Sequence, residues 1–278
     1  MTPRVRLVSL LLALAVAGGL AVGARCASAR QASCSLAALT GAAPRLDVPY
    51  AGTRPEVVRL MLDMAEVRPG DRVVDLGTGE GRILLAAASR GATGLGVDID
   101  PVLIGRARAE AVRRGLSGQA AFRVEDLFRT NLADADVVTM FLLPEVNLRL
   151  RPRILAEMRP GARVVSHAFN MGDWPPDAQG RAGGARVYLW RVPARVAGRW
   201  RVTASGRQPM LLTLTQRHQS VAGTLDGRPL ADAGLEGDRL GFTAADRRFE
   251  GTVRGKAITS RRWRAERLSA VLPPAGEP

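Results

Sequence analysis

Val73-Val74-Asp75-Leu76-Gly77-Thr78-Gly79-Glu80-Gly81-Arg82-Ile83 decides how this chain folds. A short apolar stretch carrying one acid runs into glycines at alternate positions, and a helix-forming stretch follows. A strand, a turn almost without side chains and a helix N-terminus, in that order, bring backbone N–H groups close to a ligand. Ligands of open α/β sheets sit outside the carboxyl ends of the strands, so this loop predicts a nucleotide-like ligand there.

Spacing narrows the choice. A dinucleotide fingerprint places its third glycine at the sixth position, where helix and strand pack closely. Here that position is Arg82, and the glycine comes one residue earlier, at Gly81. A second acid, Asp98, ends the apolar stretch Gly96-Val97-Asp98, 21 residues after Gly77. A carboxylate there can accept hydrogen bonds from ribose hydroxyls. Glu125 and Asp126 close the next strand, with Asp126 28 residues beyond Asp98. Acids ending three successive strands would repel a phosphate-bearing ligand and suit a cation carrying an amine, a ribose and an adenine amino group.

Asp75-Leu76-Gly77-Thr78-Gly79-Glu80-Gly81, Gly96-Val97-Asp98 and Glu125-Asp126-Leu127 resemble motifs I, II and III of the class I, seven-strand S-adenosylmethionine-dependent methyltransferases. Ala135 to Asn147 and Val164-Val165-Ser166-His167 extend the resemblance to a bacterial subgroup of such enzymes, and more distantly to membrane-tethered protein-lysine methyltransferases. The resemblance covers roughly half the chain. It implies S-adenosyl-L-methionine as cofactor. Asp75 and the loop residues Gly77, Thr78, Gly79 and Gly81 would hold its amino-acid end, Asp98 its ribose, and Glu125 with Asp126 its adenine. Glu80 either joins them or caps the helix it opens.

The acceptor side should follow the fourth strand, at Leu142-Leu143-Pro144-Glu145-Val146-Asn147. Enzymes that methylate exocyclic DNA amines would show Asn/Asp-Pro-Pro-Tyr there, and this chain does not. Glu145 is the candidate catalytic residue, to orient or deprotonate a lysine amine; its plainer reading is a helix-start acid. Leu143, Pro144 and Asn147 are candidate substrate contacts, and Trp174 either walls the pocket or simply packs. His167 is a base or a buried, hydrogen-bonded histidine. No zinc-ligand spacing and no Gly-x-Ser-x-Gly elbow is present, so no metal is expected.

Composition sets the outer bounds. The 278 residues give room for one large domain and a small one. The formal charge of +14 invites a nucleic-acid reading. Against it, the basic residues are arginines apart from Lys256, no basic run exceeds two residues, and aromatic residues make up only 4%. Nucleic acid is therefore not the expected partner; the resemblance implies a protein or small-molecule methyl acceptor instead.

At the N-terminus, Arg4 and Arg6 precede an uncharged run from Leu7 to Ala24, and Ala27-Ser28-Ala29 offers a cleavage site. Those 18 residues would span roughly 27 Å as a helix, just enough for a membrane. Residues 1–29 read as a signal peptide or a membrane anchor, which makes the protein exported or membrane-anchored rather than cytoplasmic. Cleavage after Ala29 would leave Cys34 alone, with no internal disulfide.

An Ala-rich linker, residues 30–47, leads to the main domain, residues 48–194. Thr53-Arg54-Pro55-Glu56 reads as a capping box, and Val57, Leu60, Met61 and Met64 follow at helical spacing. Asp100-Pro101 starts a later helix and Gly115 ends it. Strands alternating with helices predict an α/β fold: a doubly wound, mostly parallel sheet, seven-stranded by the resemblance. Residues 195–270 differ in texture. Trp200–Thr203, Leu211–Thr215, Leu240–Thr243 and Phe249–Val253 read as short strands, with turns at Asp226-Gly227 and Glu236-Gly237-Asp238. They predict a second, smaller antiparallel β domain, with His218 at its surface. Besides a methyltransferase, the chain fits a non-catalytic exported binding module built on a degenerate methyltransferase fold.

Overall fold

A computed structural model describes residues 51–269. The expected leader, 1–29, and linker, 30–47, lie outside the described residues. No helix among the described residues is long and apolar enough to cross a membrane.

The main domain is built on β1 (Arg72–Leu76), β2 (Thr93–Asp98), β3 (Ala120–Val124), β4 (Val137–Met140), β5 (Arg163–His167), β6 (Ala178–Ala182) and β7 (Ala185–Arg191). Their order across the sheet is β3-β2-β1-β4-β5-β7-β6. The first five run parallel, and β7 lies antiparallel to both β5 and β6. Every residue of β4 and β5 is buried, as expected of strands covered on both faces.

Helices α1 (Pro55–Met64), α2 (Arg82–Ala88), α3 (Pro101–Arg113) and α4 (Pro144–Glu157) cover the sheet. One core joins Val57, Met61, Ile83, Leu84 and Ile104 to Val73 and Phe122; the opposite one joins Ile154 and Trp190 to Leu76, Val138 and Met140. Asp100 caps α3, accepting from the Val102 N–H at 2.8 Å, and Gly115 follows that helix in the left-handed region at φ 68°.

The N-terminus of α1 departs from the expected capping box. Pro55 at the first helical position makes Arg54 the cap residue, and no side chain bonds there. Thr53 lies one residue too early, and its hydroxyl meets His167 Nδ1 at 3.2 Å instead. The buried stripe of α1 is Val57, Val58, Met61 and Leu62, while Leu60 and Met64 are half-buried against Gly180.

After β7 the chain forms β8 (Gly198–Ala204), β9 (Met210–Arg217), β10 (Ser220–Leu225), β11 (Arg228–Pro229), β12 (Ala231–Glu236), β13 (Arg239–Ala244), β14 (Arg247–Arg254), β15 (Ala257–Thr259) and β16 (Trp263–Ser269). All pairings are antiparallel. β10 pairs with both β9 and β12, and β16 with β8, so eight strands close a ring and β11 is a spur. Closure removes the exposed strand edges that an open sheet must protect. Trp200, Leu212, Leu214, Leu240, Phe242 and Ile258 fill the interior.

The barrel and the main domain belong to one compact unit. The Ala194 N–H donates to the Gly237 carbonyl at 2.8 Å, and Arg217 reaches Asp173 at 2.9 Å. Trp174 is the centre of this junction. It is fully buried, its indole N–H donates to Gln219 Oε1 at 3.0 Å, and its carbonyl accepts from the Trp190 indole at 2.9 Å. Of its two expected readings, pocket wall or packing residue, this burial and these bonds fit packing at the junction. His218 belongs to the same junction rather than to the surface: its ring stacks on Trp174 at 5.9 Å and Nε2 lies 3.5 Å from Asp173.

Candidate active site

In this sheet β1 leads through α2 to β2 on one side, and β4 lies on the other. The connections change direction between β1 and β4, which is where α/β sheets bind ligands. Asp75 of β1 stands in register with Thr139 of β4 at that point. Its two carboxylate oxygens accept the hydroxyls of Thr139 and Thr78, each at 2.6 Å. Asp75 is only 1% exposed. Burial pushes its carboxyl up to about 6 despite the two hydroxyl bonds, and the neighbouring Asp98 adds to the rise. Asp75 thus lies beneath the loop and holds it through Thr78.

Gly77, Gly79 and Gly81 adopt φ of 70°, 54° and 79°, a region costly for residues with a Cβ. Packing adds a second demand. A Cβ on Gly77 would lie 2.7 Å from the Leu142 side chain, and one on Gly81 would lie 2.7 Å from the Phe122 ring. These two glycines serve the protein's own packing as well as any ligand's approach.

The Gly79 N–H donates to one oxygen of Asp98 at 2.9 Å, and the Asp100 N–H donates to the other at 3.0 Å. Asp98 therefore ties the loop to the end of β2 while staying half-buried, with acceptor capacity left over. Glu125 is held beside it by its N–H on the Asp98 carbonyl at 3.0 Å. Asp126 is exposed; one oxygen accepts the Phe128 N–H at 2.9 Å, and the other has no partner among the described residues. Glu80 neither caps α2, whose cap is Gly81, nor stands apart from the nearby cations: it pairs with Arg106 at 3.0 Å and Arg82 at 3.4 Å.

This set of groups fits S-adenosyl-L-methionine. The carboxylates of Asp98, Glu125 and Asp126 gather at the strand ends, and the arginines nearest the loop are turned onto Glu80. Asp98 would take the ribose hydroxyls, Asp126 the adenine amino group, and the loop the amino-acid end. Among the described residues no cluster of three His, Cys, Asp or Glu side chains could hold a metal ion.

Beyond β4 and β5 the wall is aromatic. Phe141 stacks on His167 with ring centroids 3.7 Å apart and faces Phe169 at 6.5 Å. His167 is buried, which lowers its pKa, and its Nδ1 is matched to Thr53. Leu143 caps α4 in an extended conformation, Pro144 opens the helix, and both are half-buried. Glu145 is exposed in the first turn, where a negative charge complements the helix dipole. Asn147 faces inward: its amide N–H groups reach Ser166 Oγ, the Phe169 carbonyl and the Asn170 carbonyl at 3.3–3.4 Å. Its Oδ1 is buried with no partner among the described residues.

Sequence reasoning missed Thr139, Phe141, Phe169 and Thr53. Phe141 and Thr139 had a usable signal, Thr139 lying next to the end of the fourth strand and Phe141 just past it. Thr53 had none, since its partner lies 114 residues away.

Comparison with known proteins agrees with this geometry. The family described as ANTKMT methyltransferase domain matches residues 75–178, ending before the barrel. A protein-lysine N-methyltransferase of Saccharolobus islandicus is 42% identical over 131 residues, covering 46% of this chain and 81% of that protein. The adenine nucleotide translocase lysine N-methyltransferase of Mus musculus is 40% identical over 149 residues, covering 53% of this chain and 65% of that protein. The crystal structure of an RNA methyltransferase from Salinibacter ruber in complex with S-adenosyl-L-homocysteine shares 42% identity at a TM-score of 0.51, covering 52% of this chain and 96% of that one. Fold and site thus define a class I S-adenosylmethionine-dependent methyltransferase. The chain belongs to the methyltransferase family that includes the Saccharolobus protein, and it is an enzyme rather than a non-catalytic module.

Proposed function

We propose that this enzyme methylates the side-chain amine of a lysine in a protein. The observation that supports this reading is the acceptor wall. Phe141 stacks on His167 and lies near Phe169, Leu143 and Pro144 open the helix that follows β4, Asn147 spends its amide inward and Glu145 is exposed in that helix's first turn. Ring faces and one carboxylate suit a long alkyl chain with a cationic end. Few polar groups are left to read a base edge.

S-adenosylmethionine, when bound, supplies an electrophilic methyl group on a sulfonium. Transfer to an amine is an in-line displacement: the nitrogen lone pair forms the new bond, and the electrons of the old one stay on sulfur. The protein must align the two centres and let the ammonium shed a proton first. Glu145 would draw in the ammonium and accept or pass on that proton. His167, kept neutral by burial and oriented by Thr53, would hold Phe141 in place.

The Salinibacter structure, whose name specifies RNA, favours a second reading with RNA as acceptor. Full-length protein incubated with methyl-tritiated S-adenosylmethionine should label methyl-lysine in total membrane and soluble protein from the source cells. Label recovered in RNA instead would overturn the lysine reading. We also propose that the Leu7–Ala24 run carries the enzyme to a membrane. Its apolar length supports this, and protease treatment of spheroplasts would show which side the domain faces.

A further inference from the structure

A cavity of about 840 Å³ opens at one end of the barrel, where the barrel meets the C-terminal end of α4. Leu155 and Met158 wall it on the helix side, and Leu214 and Val253 on the barrel side. Mouths of barrels and junctions between domains are where small-molecule pockets form, and this volume lies in their usual range.

Its charge is one-sided. Arg195, Lys256 and Arg267 line it, and no aspartate or glutamate does. Arg195 has a structural task, donating to the Leu155 and Ala156 carbonyls at 3.0 and 3.2 Å and so closing the end of α4. The other two have none that balances their charge. Lys256, the only lysine of the chain, is exposed and pairs with no acid among the described residues. Arg267 is half-buried with its guanidinium over the Trp200 ring at 4.2 Å, donating to the carbonyls of Ala197 and Arg195. Its burial lowers its pKa. Arg163, by contrast, is buried together with Asp71 at 2.8 Å. A desolvated cation without an anion is costly, and a bound anion would offset that cost. The two residues lie side by side on neighbouring segments, the Arg267 backbone N–H donating to the Lys256 carbonyl at 2.9 Å.

We propose that this cavity binds a single-chain anionic amphiphile, with its hydrocarbon along Leu155, Met158 and Val253 and its acid head at Lys256 and Arg267. The site is separate from the methyl-transfer cleft and does not depend on which acceptor that cleft takes.

The test is equilibrium dialysis of full-length protein against radiolabelled laurate below its micellar concentration, with dodecanol as the uncharged match. One laurate per chain should bind, and more tightly than dodecanol. Ala156→Trp, which fills the exposed helix side of the cavity, should weaken laurate about tenfold or more. Lys256→Gln should weaken it about two- to fivefold. Both variants should keep wild-type affinity for S-adenosylhomocysteine, showing that they are folded. Equal binding of laurate and dodecanol, or laurate binding untouched by Ala156→Trp, would overturn the proposal. So would binding confined to anionic phosphatidylglycerol vesicles, or binding that appears only after residues 270–278 are deleted, which would make that segment the natural occupant.

Discussion

Thr139 of β4 donates its hydroxyl to Asp75 of β1 at 2.6 Å, across the strand pair where the sheet's connections change direction. Thr78 of the glycine loop takes the other oxygen at the same distance. One buried carboxylate thereby fixes two strands and the loop together.

The same burial makes Asp75 a source of pH dependence. Its pKa stands near 6 in the folded state, against 3.8 as its ordinary value. Between those values the folded state binds more protons than the unfolded one. Stability from this group is therefore complete below about pH 3.8 and is lost as pH rises through about 6, by about 3 kcal/mol. Asp75→Asn is neutral throughout. Denaturant unfolding should show wild type losing stability relative to Asp75→Asn between pH 4 and 7. A constant difference would mean that the carboxyl keeps its ordinary pKa.

Asp98 combines two tasks, holding the Gly79 N–H and facing the proposed ribose position. Charge-assisted hydrogen bonds contribute about 1.5–3 kcal/mol each. Asp98→Ala should therefore weaken S-adenosylhomocysteine binding by about 10- to 100-fold in calorimetry. Asp98→Asn, which keeps one oxygen for Gly79, should lose less. Unchanged affinity in both would remove Asp98 from the cofactor site.

The glycine loop and the strand-end acids were legible in the sequence because their signals are local. Glycines of positive φ follow directly on Asp75, and the acids of β2 and β3 come at strand ends. Barrel strands were legible from alternation and turn residues, although ring closure was not, since the pairing of β16 with β8 joins the domain's two ends. The acceptor side was harder. Trp174 looks the same in sequence whether it walls a pocket or packs, and Gln219, the residue that settles the matter, lies 45 positions away on the barrel. Thr53 was misread for a related reason: Pro55 moved the helix start, and the hydroxyl found a distant histidine.

Trp174 gives a direct test of its packing role. Removing a fully buried Trp side chain costs about 3–5 kcal/mol, and Trp174 also holds Gln219 and Trp190. Trp174→Ala should lower the unfolding midpoint sharply and leave S-adenosylhomocysteine affinity unchanged. Wild-type stability together with a raised KM for the methyl acceptor would return Trp174 to the pocket wall.

His167 works against Asp75 in nearly the same pH range. Burial lowers its pKa from an ordinary value near 6.5, so its neutral form is favoured in the folded state. Below that value the unfolded chain takes up the proton more readily. The stability His167 contributes is present above about pH 6.5 and is lost as pH falls, opposite in sign to Asp75. His167→Phe keeps a ring against Phe141 and cannot titrate. Wild type should therefore lose stability relative to His167→Phe as pH drops below 6.5, while against Asp75→Asn it should gain. Two opposing slopes from two single variants are hard to mimic by a general acid effect, which would move both comparisons the same way. Thr53→Val leaves His167 Nδ1 without its hydroxyl partner and should destabilise by about 1 kcal/mol at pH 7. In the double variant with His167→Phe that loss should vanish, and persistence of the full loss would show that the hydroxyl serves something other than the histidine.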